Sequence, residues 1–319
     1  MGRFGTSGSN HWSGSTSRIV PMSQGHSWFA ISGILALLLA FILTLLINGL
    51  AGSVGKESGL VEYAVGELSD IYDTYMTPAG WAFAIWSLIY IWMAVLLIFY
   101  IVTIFQSNDF GKVYLNPEVA NFAYRAIFIA NLSLNASWIL LWGNNYLLAS
   151  CIILFLIAIT NIILLGIFSF NIAEDNHRLK SEQSKLFWTY VVLGQNCHGT
   201  YTAWTLIASC ISLATELSYG NAGLNRESSS LIGLSLLLAI VVIWFVLENT
   251  VLDRYVRFLV TPYLVVIWAA IATVTEHQSS ADIPDVIEWY VIGILVLAGV
   301  LAILRAGIIA YRQIKMPFK

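Results

Sequence analysis

Two stretches of this chain carry polar and aromatic side chains at helical spacing. In the first, Asn131, Asn135, Trp138 and Trp142 recur at intervals of four, three and four residues. That spacing sets all four on one face of an α-helix. In the second, Gln195, His198, Thr202, Thr205, Ser209 and Ser212 keep the same rhythm, with Cys197, Tyr201, Trp204 and Ala208 beside them. Such residues suit two kinds of chemistry. Amides and hydroxyls can bond helix to helix, and large rings with a few polar anchors are the usual lining of a small-molecule site. The two readings stay open on the sequence. His198 has no partner in the pattern that would make an acid–base pair, so a catalytic reading lacks its second group. The three cysteines, Cys151, Cys197 and Cys210, show no paired spacing, and neither a disulfide framework nor a zinc site is expected.

The elements that position these faces follow from composition. Of 319 residues, 58% are hydrophobic and only 10% charged. Soluble domains carry roughly 25% charge. So little charge cannot coat a globule of this size, and the apolar excess needs lipid as solvent. A net charge of −3 with no long basic run excludes a nucleic-acid partner. A bilayer core takes roughly 20 apolar residues per helix. Eight stretches qualify, at about 28–50, 79–105, 121–142, 146–170, 186–213, 230–247, 258–275 and 288–310. Strand alternation is absent, which excludes a β-barrel. The fold class is all-α, a polytopic transmembrane bundle of about eight spans. The third and fourth spans are joined by Gly143-Asn144-Asn145, which makes them antiparallel neighbours. The fifth contains the polar run from Gly194 to Thr200, where a kink or a partly unwound start is expected. Residues 1–27 are rich in Gly and Ser and read as a disordered tail.

Loop charges set orientation. Counting compartments alternately, one side of the membrane receives thirteen basic residues and the other only Lys56 and Arg226. The positive-inside rule then predicts cytoplasmic termini. The far side is acidic, with Glu57, Glu62, Glu67, Asp70 and Asp73 in the first loop. No span carries a central Lys, Asp or Glu, the usual mark of pumps and ion-coupled carriers. Arg125, near the start of span three, can snorkel to the interface, and Glu248 and Arg305 fall near helix ends. Asp253-Arg254-Tyr255 looks like the triplet of G-protein-coupled receptors but follows the sixth span instead of the third.

The start of span two reads Thr77-Pro78-Ala79-Gly80-Trp81, then Trp86 and Tyr90 four residues apart. With Leu134-Asn135-Ala136-Ser137-Trp138 on span three and Tyr201-Thr202-Ala203-Trp204 on span five, this resembles the tryptophan-rich sensory protein/translocator protein family. The resemblance covers roughly residues 28–213, and it divides the chain into a tail (1–27), a five-helix core (28–213) and a three-helix extension (214–319). Two departures are visible. The family's second Pro after Thr-Pro is Ala79 here, and no basic residue follows Tyr219 closely enough to complete a sterol-contact motif past helix five.

The resemblance implies a ligand cavity opening toward the first loop. It also implies a membrane receptor or binding protein for a planar hydrophobic ligand, porphyrin- or sterol-like, with roles in tetrapyrrole handling or stress signalling. Trp81, Trp86, Tyr90, Asn135, Trp138, Tyr201 and Trp204 would line or close that cavity by residue match, and Asn131 and His198 join them from the two polar stripes. Porphyrin or haem is the expected ligand, with no certain cofactor. The expected partners are the lipid bilayer and the small molecule, with a homodimer left open. A facilitative small-solute transporter is the alternative reading, and a tetrapyrrole-modifying enzyme the third.

Overall fold

The computed structural model describes residues 25–279 and 282–315, so most of the Gly/Ser-rich tail lies outside the described residues. Within them, eight long helices follow one another: α1 (Trp28–Ser53), α2 (Ile85–Phe105), α3 (Phe122–Gly143), α4 (Leu147–Glu174), α5 (Asn196–Tyr219), α6 (Arg226–Asn249), α7 (Thr261–Ser279) and α8 (Asp285–Lys315). Three of them, α1, α3 and α6, start where a side-chain oxygen caps a free backbone N–H group. Ser27 accepts from Ala30 N, Asn121 from Tyr124 N and Asn225 from Ser228 N, at 3.3, 3.0 and 2.7 Å.

Six of the eight helices are long and apolar enough to cross a membrane. The other two, α5 and α7, are the more polar ones. α5 packs on α2, α4, α6 and α7, so its hydroxyls and amides meet protein instead of lipid. One continuous apolar core runs through all eight helices, from Ala30 on α1 to Leu301 on α8, and the last three are packed into it. α5 also runs on to Tyr219, past residue 213, because its polar last turns need no hydrocarbon.

The entry to α5 departs from a plain helix, as the polar run there leads one to expect. Ser184–Thr189 leads into a π-helical turn, Tyr190–Gln195. Gly194 lies against the Phe168 ring so closely that a Cβ would overlap it. The amides freed at this turn stitch α5 to the loop before α7. Gln195 Nε2 donates to Ser169 Oγ and to the Tyr255 carbonyl, at 2.9 and 2.7 Å. Asn196 Nδ2 donates to the Phe258 carbonyl at 3.1 Å, and Asn196 Oδ1 accepts from Val260 N at 3.1 Å.

The loops gather at two ends. At one end the first loop is fastened to the turns after α3, α5 and α7. Gly143 O accepts from Glu62 N and Tyr63 N, Arg226 pairs with Asp73, and His277 Nε2 meets Tyr75 O at 2.8 Å. At the other end, Asn171 reaches Val119 O at 2.9 Å, Arg254 faces Glu174 at 3.8 Å and Arg312 donates to Asn249 O at 2.8 Å. This second end carries Lys112, Arg178, Lys180, Lys185, Arg254 and Arg257, whereas Lys56 and Arg226 lie at the first.

Three charges are placed more deeply than their positions near helix ends suggest. Arg125 does not use the route to the interface open to it. It is 3% exposed, folded under α1 at Gly33, where it donates to Ala120 O and pairs with Glu118 at 3.2 Å. Its short route to a carbonyl beside its own helix start outweighs the longer route to solvent. Glu248 and Arg305 are likewise more than helix-end charges. Both are fully buried, 3.5 Å apart, with Tyr263 donating to Glu248 and Asp253 shared among Arg257, Arg305 and Arg312. Charges this deep are tolerable only when paired. This cluster ties α6, α7 and α8 together.

Candidate functional site

The stripe of α3 faces inward along its whole length: Asn131 and Asn135 are fully buried, and Trp138 and Trp142 nearly so. Asn135 is the hub of a four-helix network. Its Oδ1 accepts from Tyr90 OH on α2 at 2.9 Å and from Asn48 Nδ2 on α1 at 3.1 Å, while its Nδ2 donates to Tyr201 OH on α5 at 3.2 Å. Asn131 turns to α4 instead, donating to Ile157 O, Thr160 Oγ1 and Asn161 Oδ1 at 2.8–3.1 Å. Asn161 in turn donates to Thr205 on α5 at 3.1 Å.

Above Asn135 the aromatic side chains converge on Trp86. Its indole stacks on Tyr90 and on Trp138, each at 5.8 Å between centroids, and meets Tyr201 and Trp204 edge-on at 6.0 and 6.4 Å. Trp138 stacks on Trp142 at 6.4 Å, and Trp142 Nε1 donates to Val65 O at 3.2 Å. A ladder of indoles thus climbs from the middle of the bundle to the first loop, which closes over it. Rings in these offset and edge-on arrangements add about 0.5–1.5 kcal/mol per pair beyond their burial. Two donors in the ladder are left over: Trp138 Nε1 and Trp204 Nε1 are buried and find no acceptor among the described residues.

Seven of the nine candidate residues share this assembly of network and ladder, counting Asn131 through its stripe; Trp81 and His198 do not. Trp81 is 43% exposed and packs edge-on against Trp268 of α7 at 4.8 Å. Gly80–Ala84 forms a 3₁₀ turn, and its different winding rotates Trp81 off the face that carries Trp86 and Tyr90. Trp268 Nε1 also donates to Ala82 O at 3.1 Å, so the extension holds the start of α2. His198 sits one turn before Tyr201 in a cage of Tyr124, Phe128 and Phe168. Its Nε2 meets Tyr124 OH at 2.7 Å, and Tyr100 OH donates to the same hydroxyl at 3.1 Å. The hydroxyls of Thr202, Thr205 and Ser209 donate to carbonyls of their own helix. The polar stripe of α5 is therefore spent mainly on its own backbone and on neighbouring helices.

Asn48 was not among the candidates, although it is the only amide in α1, and that isolation was its signal. Tyr100 and Tyr124 were missed because nothing in their spacing relates them to His198.

The chain matches the family model described as TSPO-like protein over residues 34–304. It belongs to the TSPO-like protein family. The match runs through the five-helix part and through most of the three helices that follow. No curated relative and no solved structure matches this TSPO-like chain.

The TSPO-like ladder is packed ring on ring. A cavity of about 560 Å³ lies instead between α4, α5, α6 and α7, and none of the nine candidate residues lines it.

Proposed function

We propose that this TSPO-like membrane protein is a receptor for a planar, hydrophobic small molecule that carries hydrogen-bond acceptors, a porphyrin being the type. The ligand is taken at the indole ladder of α2, α3 and α5. The observation that carries this reading is the pair of buried, acceptor-less indole N–H groups of Trp138 and Trp204, which flank the Trp86 ring. A buried donor without a partner costs roughly 1–3 kcal/mol. A flat ligand with carboxylate or ring-nitrogen acceptors would recover that cost while exchanging one stacking partner for another. Opening the ladder requires the first loop to lift from the end of α3, which breaks the Trp142 bond to Val65 O and the bonds from Glu62 N and Tyr63 N to Gly143 O.

The test is a titration of purified protein with protoporphyrin, read from the ligand's absorbance. Trp138→Phe and Trp204→Phe keep a ring and remove the N–H, and each should weaken binding several-fold, since 1.4 kcal/mol is tenfold. Trp289→Ala, on the exposed face of α8, should leave it unchanged. Equal affinity in all three variants would mean that the porphyrin partitions into detergent, and the facilitative-transporter reading would take first place.

A further inference from the structure

The cavity of about 560 Å³ is a lateral cleft at the seam between the five-helix part and the last three helices. α4 and α6 both pack on α5, yet they hold apart from one another, and the cleft opens between them. Its lips, Ile162, Phe170 and Ile243, are half exposed, facing what would be hydrocarbon. Its walls are almost wholly apolar. Gly166 lies in it, and a Cβ there would meet nothing. The end nearest the basic face is closed by Tyr255, which stacks on Phe170 at 6.2 Å.

Tyr255 is also a wall of a second, much smaller recess on its other side, a notch of about 20 Å³ at whose mouth a headgroup would sit. That recess is lined by Lys180, Arg254 and Arg257. Among the described residues, the acids that pair with Arg254 and Arg257 are Glu174 and Asp253. Asp253 serves Arg257 at 2.6 Å, Arg312 at 2.6 Å and Arg305 at 3.5 Å, and Glu174 faces Arg254 at only 3.8 Å. Among the described residues, the lining of the recess holds three cations and no acid. Burial, and after it the neighbouring Arg257, lower the Lys180 amine to about 8. A cationic recess joined through one tyrosine to a membrane-facing apolar cleft matches one kind of molecule: a negative headgroup at the interface with a hydrocarbon chain running inward.

We infer that the seam between α4 and α6 is a binding site for an anionic phospholipid, with its phosphate held by Lys180, Arg254 and Arg257 and one acyl chain in the cleft past Tyr255. The site is separate from the indole ladder and does not depend on the proposed porphyrin function. A resident chain would fill the gap between the two parts of the protein, and each basic side chain near the surface would favour the anionic lipid.

The full chain, reconstituted in phosphatidylcholine bilayers, provides the test. A minor fraction of lipid with mid-chain bromine is added, as either phosphatidylglycerol or phosphatidylcholine. Bromine quenches nearby indoles, and Trp244 lines the cleft. Its share of the fluorescence is the difference between the parent and Trp244→Phe. Brominated phosphatidylglycerol should quench that share several-fold more effectively than brominated phosphatidylcholine. Lys180→Ala/Arg254→Ala should equalise the two, and Gly166→Leu, which fills the cleft, should reduce quenching by both. Equal quenching by the two headgroups in the parent would overturn the site, whatever the variants do. A preference that survives Lys180→Ala/Arg254→Ala would overturn the assigned headgroup contacts.

Discussion

Asn135 and Tyr201 face one another across α3 and α5, with the amide nitrogen donating to the phenol oxygen at 3.2 Å. The same amide oxygen receives Tyr90 and Asn48, so one side chain holds four helices in register. Single bonds of this kind within membranes average about 0.6 kcal/mol, up to about 1.7. Asn135→Leu removes three at once and leaves their partners buried. It should lower the melting temperature of the purified protein by several degrees without blocking insertion. A variant as stable as the parent would show that the network is incidental.

Gly194 is required by its neighbour. A methyl group there would overlap the Phe168 ring, and overpacking of a core costs typically about 1–3 kcal/mol. Gly194→Ala should therefore destabilise the entry to α5, and Gly194→Ala/Phe168→Leu should recover part of the loss. Thermal melts of the three proteins measure this. No recovery in the double variant would move the cause from the side-chain clash to the backbone of the π turn.

The grouping of loops at two ends predicts accessibility. With Cys151, Cys197 and Cys210 replaced, single cysteines at Glu62, Asn221 and Asp282 should react from outside the cell with an impermeant thiol reagent. A cysteine at Glu182 should react only after permeabilisation. The 13-to-2 distribution of basic residues is the motive, since the positive-inside rule predicts cytoplasmic termini from it. Labelling of Asp282→Cys only in permeabilised cells would break the eight-span order.

Lys180 carries a pH dependence. Its amine is lowered to about 8, so it loses its proton well before an ordinary lysine. Between that value and the unfolded value near 10.4, the unfolded chain binds more protons, and stability contributed by this site rises with pH. Acylation of Lys180 by an amine reagent, followed by peptide mass analysis, should show a midpoint near 8 in detergent. Adding phosphatidylglycerol should move the midpoint up, because an anion favours the charged form. A midpoint unmoved by that lipid would speak against the headgroup site.

Much of this was legible in the chain because helix period and bilayer thickness are strong constraints. The eight apolar stretches became eight helices, and the interval pattern of Asn131, Asn135, Trp138 and Trp142 gave the inward face of α3 without any structure. What was hidden depended on relations that no period records. Trp81 shares a motif with Trp86, but the 3₁₀ turn between solvent and α2 turns it toward Trp268, a residue 187 positions away. Glu248 and Arg305 looked like interfacial charges because each was near a helix end. Their burial arises from α6, α7 and α8 meeting at one point. The seam cleft is a gap between helices, and a gap leaves no residue pattern of its own.

The most direct measurement for the ligand reading is the position of the bound ring itself. Illumination of a protoporphyrin complex oxidises side chains next to the macrocycle, and peptide mass analysis reads where. The indole-ladder account predicts modification concentrated on Trp86, Trp138, Tyr201 and Trp204, lost when an excess of unreactive metalloporphyrin competes. Modification confined to Trp244, Tyr255 and Tyr263 around the seam cleft, with the ladder untouched, would contradict it.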